Sequence, residues 1–220
     1  MKMRNTLPFL LGSVLVLAVS CQKEVDYQNI GGNNPGTGDP GTGNPSNNSI
    51  IGDWKFKKMA VEVHIYSEVT SGGLTQKIIG DMPLSTSTNE TGILKIDAAT
   101  MTASNIGYLF NSSMTTNMYA NGMLVTSNTD PVQVNQAPSN RTTAYTKIGA
   151  DSLVAETQLI TIDYPGLPSI PDTQHGLKVS WLGDTLVLTE RINQQTIDNS
   201  LGIPIQSSVK GLQTIKLVKN

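Results

Sequence analysis

Alternation with a period of two is the feature that most narrows the folds open to this chain. From Lys58 to Tyr66 the odd positions Met59, Val61, Val63 and Ile65 are apolar, whereas Lys58, Glu62, His64 and Tyr66 face the other way. Successive side chains of a strand point to opposite faces, so this is the pattern of a half-buried strand. Trp54 and Phe56 have the opposite parity, which predicts a bulge or bend near Lys57. Further strand candidates follow at Leu74 to Ile79, Gly92 to Ile96, Ile106 to Phe110, Met114 to Ala120, Met123 to Ser127, Ala144 to Ile148, Leu153 to Tyr164, Leu177 to Trp181, Thr185 to Ile192 and Leu212 to Val218. Asn121-Gly122 is a strong hairpin signal, because a type I′ turn needs positive φ at both central positions. Gly183-Asp184 predicts a second tight turn. Pro165, Pro168 and Pro171 predict an irregular loop, and Thr126 to Arg141 reads as a long irregular connection. No amphipathic helix of useful length is present. Eight to ten strands in meander order predict an all-β domain, an antiparallel barrel with a sandwich as the alternative.

That pattern occupies Ile50 to Asn220, long enough to bury roughly 70% of the surface of the unfolded chain. Ahead of it, Gln28 to Ser49 is almost entirely Asn, Gly, Pro, Thr and Ser, with the near repeat Pro35-Gly36-Thr37-Gly38-Asp39 and Pro40-Gly41-Thr42-Gly43-Asn44. Such a segment cannot bury enough apolar surface to offset chain entropy, and residues 21–49 are expected to form a disordered tether. As a flexible coil it would hold the domain on the order of 30 Å from its start, with ~90 Å as the stretched limit. The formal charge of −2 lacks the clustered Lys and Arg that a nucleic-acid partner requires. With two His and one Cys, neither a disulfide framework nor a soft-ligand metal site is expected, and no cofactor is implied.

The first 20 residues carry an address. Lys2 and Arg4 precede the apolar stretch Leu7 to Val19, which is too short for a membrane span of roughly 20 residues and is expected to be a secretory signal. Small residues then lead into Cys21, the only thiol. Leu17-Ala18-Val19-Ser20-Cys21 resembles a bacterial lipobox, which implies cleavage before Cys21 and acylation of its sulfur. Two or three acyl chains would make the membrane attachment effectively permanent. Gln22-Lys23-Glu24-Val25-Asp26 is similar to the charged export tag of certain Gram-negative outer-membrane lipoproteins, which implies cell-surface display, with the periplasmic face as the alternative.

Within the domain, Ile51-Gly52-Asp53-Trp54-Lys55-Phe56 is similar to the Gly-x-Trp opening of lipocalins. The run Tyr145 to Ile148 with Asp151-Ser152-Leu153, then Gly176 to Trp181 and Gly183 to Leu188, resembles the later hairpins of lipocalin-like lipoprotein domains. The resemblance implies an eight-stranded barrel closed at one end by Trp54. It further implies an Arg stacked on that indole, for which Arg191 is the candidate, the pair contributing ~0.5–2 kcal/mol. Asp151-Ser152-Leu153 and Asp184-Thr185-Leu186 also resemble O-glycosylation sites of such bacteria, at Ser152 and Thr185, and are read as turns.

Residues for catalysis are sparse. His64 falls on the polar face of a strand and His175 in the Pro-rich loop, each expected to be solvated, and no nucleophile–base motif accompanies them. The carboxylates Asp53, Glu62, Glu90 and Asp97 are scattered, and an enzyme is not expected. Met101, Met114, Met118 and Met123, beside Tyr108, Phe110 and Tyr119, supply the flexible thioethers and aromatics of an adaptable pocket. Met101, Tyr108, Phe110, Met114, Met118 and Met123 are therefore the candidate cavity lining, with plain core packing as the alternative. The expected function is a lipid-anchored envelope protein binding a small apolar or amphipathic ligand. Its alternative is an accessory or pilin-like structural subunit whose partner is another surface protein.

Overall fold

The computed structural model describes residues 49–160, 174–199 and 202–220. The signal segment, Cys21 and the tether up to residue 48 lie outside them, as do the end of the strand expected from Leu153 to Tyr164 and the three prolines Pro165, Pro168 and Pro171. Among the described residues eight strands follow one another as β1 (Gly52–Ser71), β2 (Leu74–Ile96), β3 (Thr100–Ala120), β4 (Met123–Lys147), β5 (Ser152–Ala155), β6 (His175–Leu182), β7 (Thr185–Asp198) and β8 (Ile205–Lys219). Each is antiparallel to its neighbour, and β8 returns to β1 to close the sheet into a barrel. The sandwich alternative is thereby set aside. Among the described residues there is no helix.

The alternation does most of the folding. Met59, Val61 and Val63 are fully buried on the inner face of β1, as Leu186 and Leu188 are on β7 and Ile215 and Leu217 on β8. Trp54 and Phe56 join the same core, because the register against β8 slips between Phe56 and Lys58 and reverses the parity there. The Asn121-Gly122 turn has φ of 48° and 81°, as its type demands, and Gly183 turns with φ 59°. Both predicted hairpins are present.

Several strands are longer than the alternation shows. Leu74 to Ile79 and Gly92 to Ile96 are two ends of β2, and Ile106 to Phe110 and Met114 to Ala120 are parts of β3. Thr126 to Arg141 is no irregular connection. It lies within β4 and pairs with β3 over most of its length. Conversely, within the described part of the strand expected from Leu153 to Tyr164, which ends at Ile160, only β5 is strand, four residues long.

Unequal lengths give the barrel two halves. One end gathers Gly52, the β2–β3, β4–β5 and β6–β7 turns, and Lys219. There the ring is complete and its interior is filled by Trp54, Phe56, Met59, Met82, Leu94, Ile96, Met101 and Phe110. Toward the other end β5 pairs with β4 only over Tyr145–Lys147, while β4, β3, β2, β1, β8 and β7 run on together. The upper half is thus an open, curved six-stranded sheet, and its mouth is where the interior meets solvent.

Candidate functional site

At the closed end, Trp54 donates its indole N–H to the Ile50 carbonyl at 2.7 Å and meets Trp181 at 5.6 Å between ring centroids. The cation over its face is Lys219 at 4.5 Å, not Arg191. Register explains the correction. Trp54 pairs across the β1–β8 seam with Lys219, whereas Arg191 is opposite Leu212, exposed, toward the mouth. This end is structural.

The Met and aromatic candidates divide. Met101, Tyr108, Phe110 and Met114 face inward and are buried in the core, with Tyr108 edge-on to Phe56. Met118 is half-buried on the inner face of the open sheet, and Met123 is 72% exposed at the β3–β4 tip. Met123 therefore lines nothing, and the four buried residues belong to packing.

The amphipathic surface lies instead at the mouth. A cleft of about 270 Å³ is formed by Ala103, Ile106, Leu159 and Ile160 on its apolar side and by Gln136, Ser139, Asn140 and Arg141 on its polar side. The chain leaving β5 folds inward here. Glu156 N–H donates to Ala144 O and Thr157 N–H to Thr143 Oγ1, turning Leu159 and Ile160 onto the top of the core. On the β4 side, Asn140 is held by accepting a hydrogen bond from the Asn105 N–H at 2.8 Å.

Beneath Leu159 and Ile160 is a polar cluster contributed by three consecutive strands. His175 on β6 is buried, not solvated in a loop, and its Nδ1 lies 2.5 Å from Glu190 Oε1 on β7. Opposite Glu190, Gln213 on β8 donates to the Ile160 carbonyl and to Met59 Sδ at 3.5 and 3.4 Å. The acceptor at Ile160 fixes which end of the Gln213 amide carries the nitrogen. His175 Nε2 and Gln213 Oε1 make no hydrogen bond among the described residues. Buried polar atoms left so are costly. The pattern at Glu190 carried a signal that was missed: Leu186, Leu188 and Ile192 fix an inward parity that also takes in Glu190.

No family model matches this chain, and neither a curated protein nor a solved structure is significantly similar to it. Among the described residues no group of three or more His, Cys, Asp or Glu is placed to hold a metal ion. Of the two serine/threonine candidates, Ser152 opens β5 and donates to Asp151 Oδ1 at 3.1 Å, and Thr185 opens β7 after the Gly183-Asp184 turn.

Proposed function

We propose that this is a lipid-anchored lipoprotein of the bacterial outer membrane, displayed at the cell surface, whose lipocalin-like barrel takes a small amphipathic ligand at its mouth. The observation that carries the binding half is the cleft over the filled core, apolar on the Leu159 and Ile160 side and polar along Gln136 to Arg141. A purely apolar ligand deep in the barrel is disfavoured, since Phe110, Met101 and Met59 occupy that volume. The anchoring half rests on Leu17-Ala18-Val19-Ser20-Cys21.

Extraction of the purified full chain followed by mass spectrometry would identify a resident amphiphile. Ser139→Trp, introduced at the exposed rim, is expected to fill the cleft and weaken uptake of the neutral fluorescent amphiphile N-phenyl-1-naphthylamine by about tenfold, equivalent to roughly 1.4 kcal/mol. Equal uptake by both proteins would sink the mouth as the site. For the anchor, Cys21→Ser should move the protein from the membrane pellet to the soluble fraction. Protease treatment of intact cells should digest the wild type if it is displayed outside.

One observation favours the second reading, a structural or interaction subunit. Met123, Leu124 and Val125 are consecutive, apolar and 72, 56 and 61% exposed at the β3–β4 tip. Cross-linking on intact cells would then capture a stoichiometric protein partner through that tip, and Leu124→Asp would abolish it.

A further inference from the structure

The outer face of the open sheet, turned away from the mouth, carries a second cluster. Across β2, β1 and β8 the side chains form rows one rung apart: Asp81–His64–Lys210, then Ile79–Tyr66–Ser208, then Lys77–Glu68–Gln206. The first two rows enclose a shallow cleft of about 330 Å³ lined by His64, Ile65, Tyr66, Ile79, Ser208 and Lys210. That is the lower end of the volumes that small-molecule sites occupy.

The groups in it are fixed but uncommitted. His64 Nδ1 lies 2.7 Å from Asp81 Oδ1, so its N–H donates to the carboxylate, and Nε2 has no hydrogen bond among the described residues. Tyr66 is held in place by donating its hydroxyl to Glu68, and Lys77, itself paired with Glu68, stands 5.3 Å over its ring. Lys210 makes no ion pair among the described residues, and the Ser208 hydroxyl has no hydrogen bond among them. An aromatic edge and Ile79 thus flank one free ammonium, one free hydroxyl and one free imidazole nitrogen.

We propose that this face binds a small hydroxylated ring bearing a single carboxylate, the chemistry of an acidic sugar. The ring's C–H face lies on Tyr66 and Ile79, its carboxylate meets Lys210 and Ser208, and its hydroxyls reach His64 Nε2 and the second oxygen of Asp81. A phosphate dianion fits less well, because the cleft lining offers it a single ammonium, Lys210, and the Asp81 carboxylate on the far side of His64 repels excess negative charge. A neutral sugar leaves Lys210 unpaired.

Titration calorimetry on the purified full chain tests this with four probes: D-galacturonate, its methyl glycoside, D-galactose and inorganic phosphate. Galacturonate is expected to bind at least tenfold more tightly than galactose or phosphate. Lys210→Ala and Tyr66→Ala should each weaken it by about tenfold, whereas Arg191→Ala should leave it unchanged. Lys210 is exposed, so its variant reports binding and not folding. Tighter binding of the methyl glycoside than of the free acid would identify a chain-terminal residue as the source, and the reverse a free monosaccharide. Galactose or phosphate binding as tightly as galacturonate, or no galacturonate binding, overturns the proposal. None of these outcomes bears on the mouth, whose test uses a different residue and probe.

Discussion

Trp54 shows how one side chain can be legible while its partner is not. An indole at the start of a first strand is readable as a plug, but which cation covers it depends on the β1–β8 register, a pairing between opposite ends of the domain that local patterns do not encode. Trp54→Ala is expected to cost about 3–5 kcal/mol in chemical denaturation. Lys219→Ala should cost about 0.5–1 kcal/mol through the lost cation–π contact, and Arg191→Ala less than about 0.5 kcal/mol. Equal losses for the two cations would restore Arg191 to the pair. Tyr145 gives a second test at this scale. Its hydroxyl donates to Asp97 O at 2.7 Å, and burial first, then the Asp97 charge, raises its pKa above the ordinary 10.0. A phenol whose pKa is raised on folding adds stability that is complete below pH 10 and is lost as pH climbs through the folded value. The Tyr145→Phe variant should therefore lose stability less steeply than wild type above pH 10, followed by denaturation at stepped alkaline pH. Identical slopes would show that Tyr145 ionises alike in both states.

At the scale of strands, the alternation was readable wherever one face is buried and silent wherever neither is. Met123 to Pro131 are exposed on both faces, since no wall stands opposite them, so the first half of β4 has no apolar period to display. Pro131 and Pro138 completed the appearance of a loop, though proline is admissible on a strand with no neighbour on one side. His175 was misplaced for a related reason, lying just past a run of prolines yet opening β6. In β2 and β3 the apparent gaps between short strands mark bends. Asn89 and Gly92 on β2 have φ of 56° and 100°, Asn105 on β3 has φ of 54°, and the ladder slips at the same level. A Cβ on Gly92 would lie 2.5 Å from the Asn105 carbonyl oxygen. Gly92→Ala therefore combines backbone strain with a clash against main chain, and should cost about 1–3 kcal/mol. Gly122→Ala is a useful comparison, since a Cβ there meets nothing within 4 Å and only the positive φ opposes it. If Gly122→Ala proved the more damaging, the bend would not be constrained by β3.

For the whole molecule, closure of the ring depends on its shortest member. β1, β3 and β8 are each fifteen residues or longer, whereas β5 has four and meets β4 over three registered pairs. The seam is reinforced from inside. Leu153 and Ala155 are buried in the core, and the segment after β5 lays Leu159 and Ile160 over Gln213. Beside them the His175–Glu190 pair joins β6 to β7 in a buried position, where removing one partner leaves an uncompensated polar or charged group. Two consequences follow from this arrangement. Glu190→Ala should destabilise the barrel by about 3–5 kcal/mol, while replacing both residues by leucine should recover much of that loss. Native-state hydrogen exchange should find the β5 amides opening at a lower free energy than those of β1 and β8, because local opening follows the elements with fewest cross-strand bonds. Glu190→Ala should widen that difference, since it loosens the wall on which the β5 exit segment rests. Uniform protection around the ring would mean that the barrel opens as one unit, and the mouth would then have no independent freedom with which to admit a ligand.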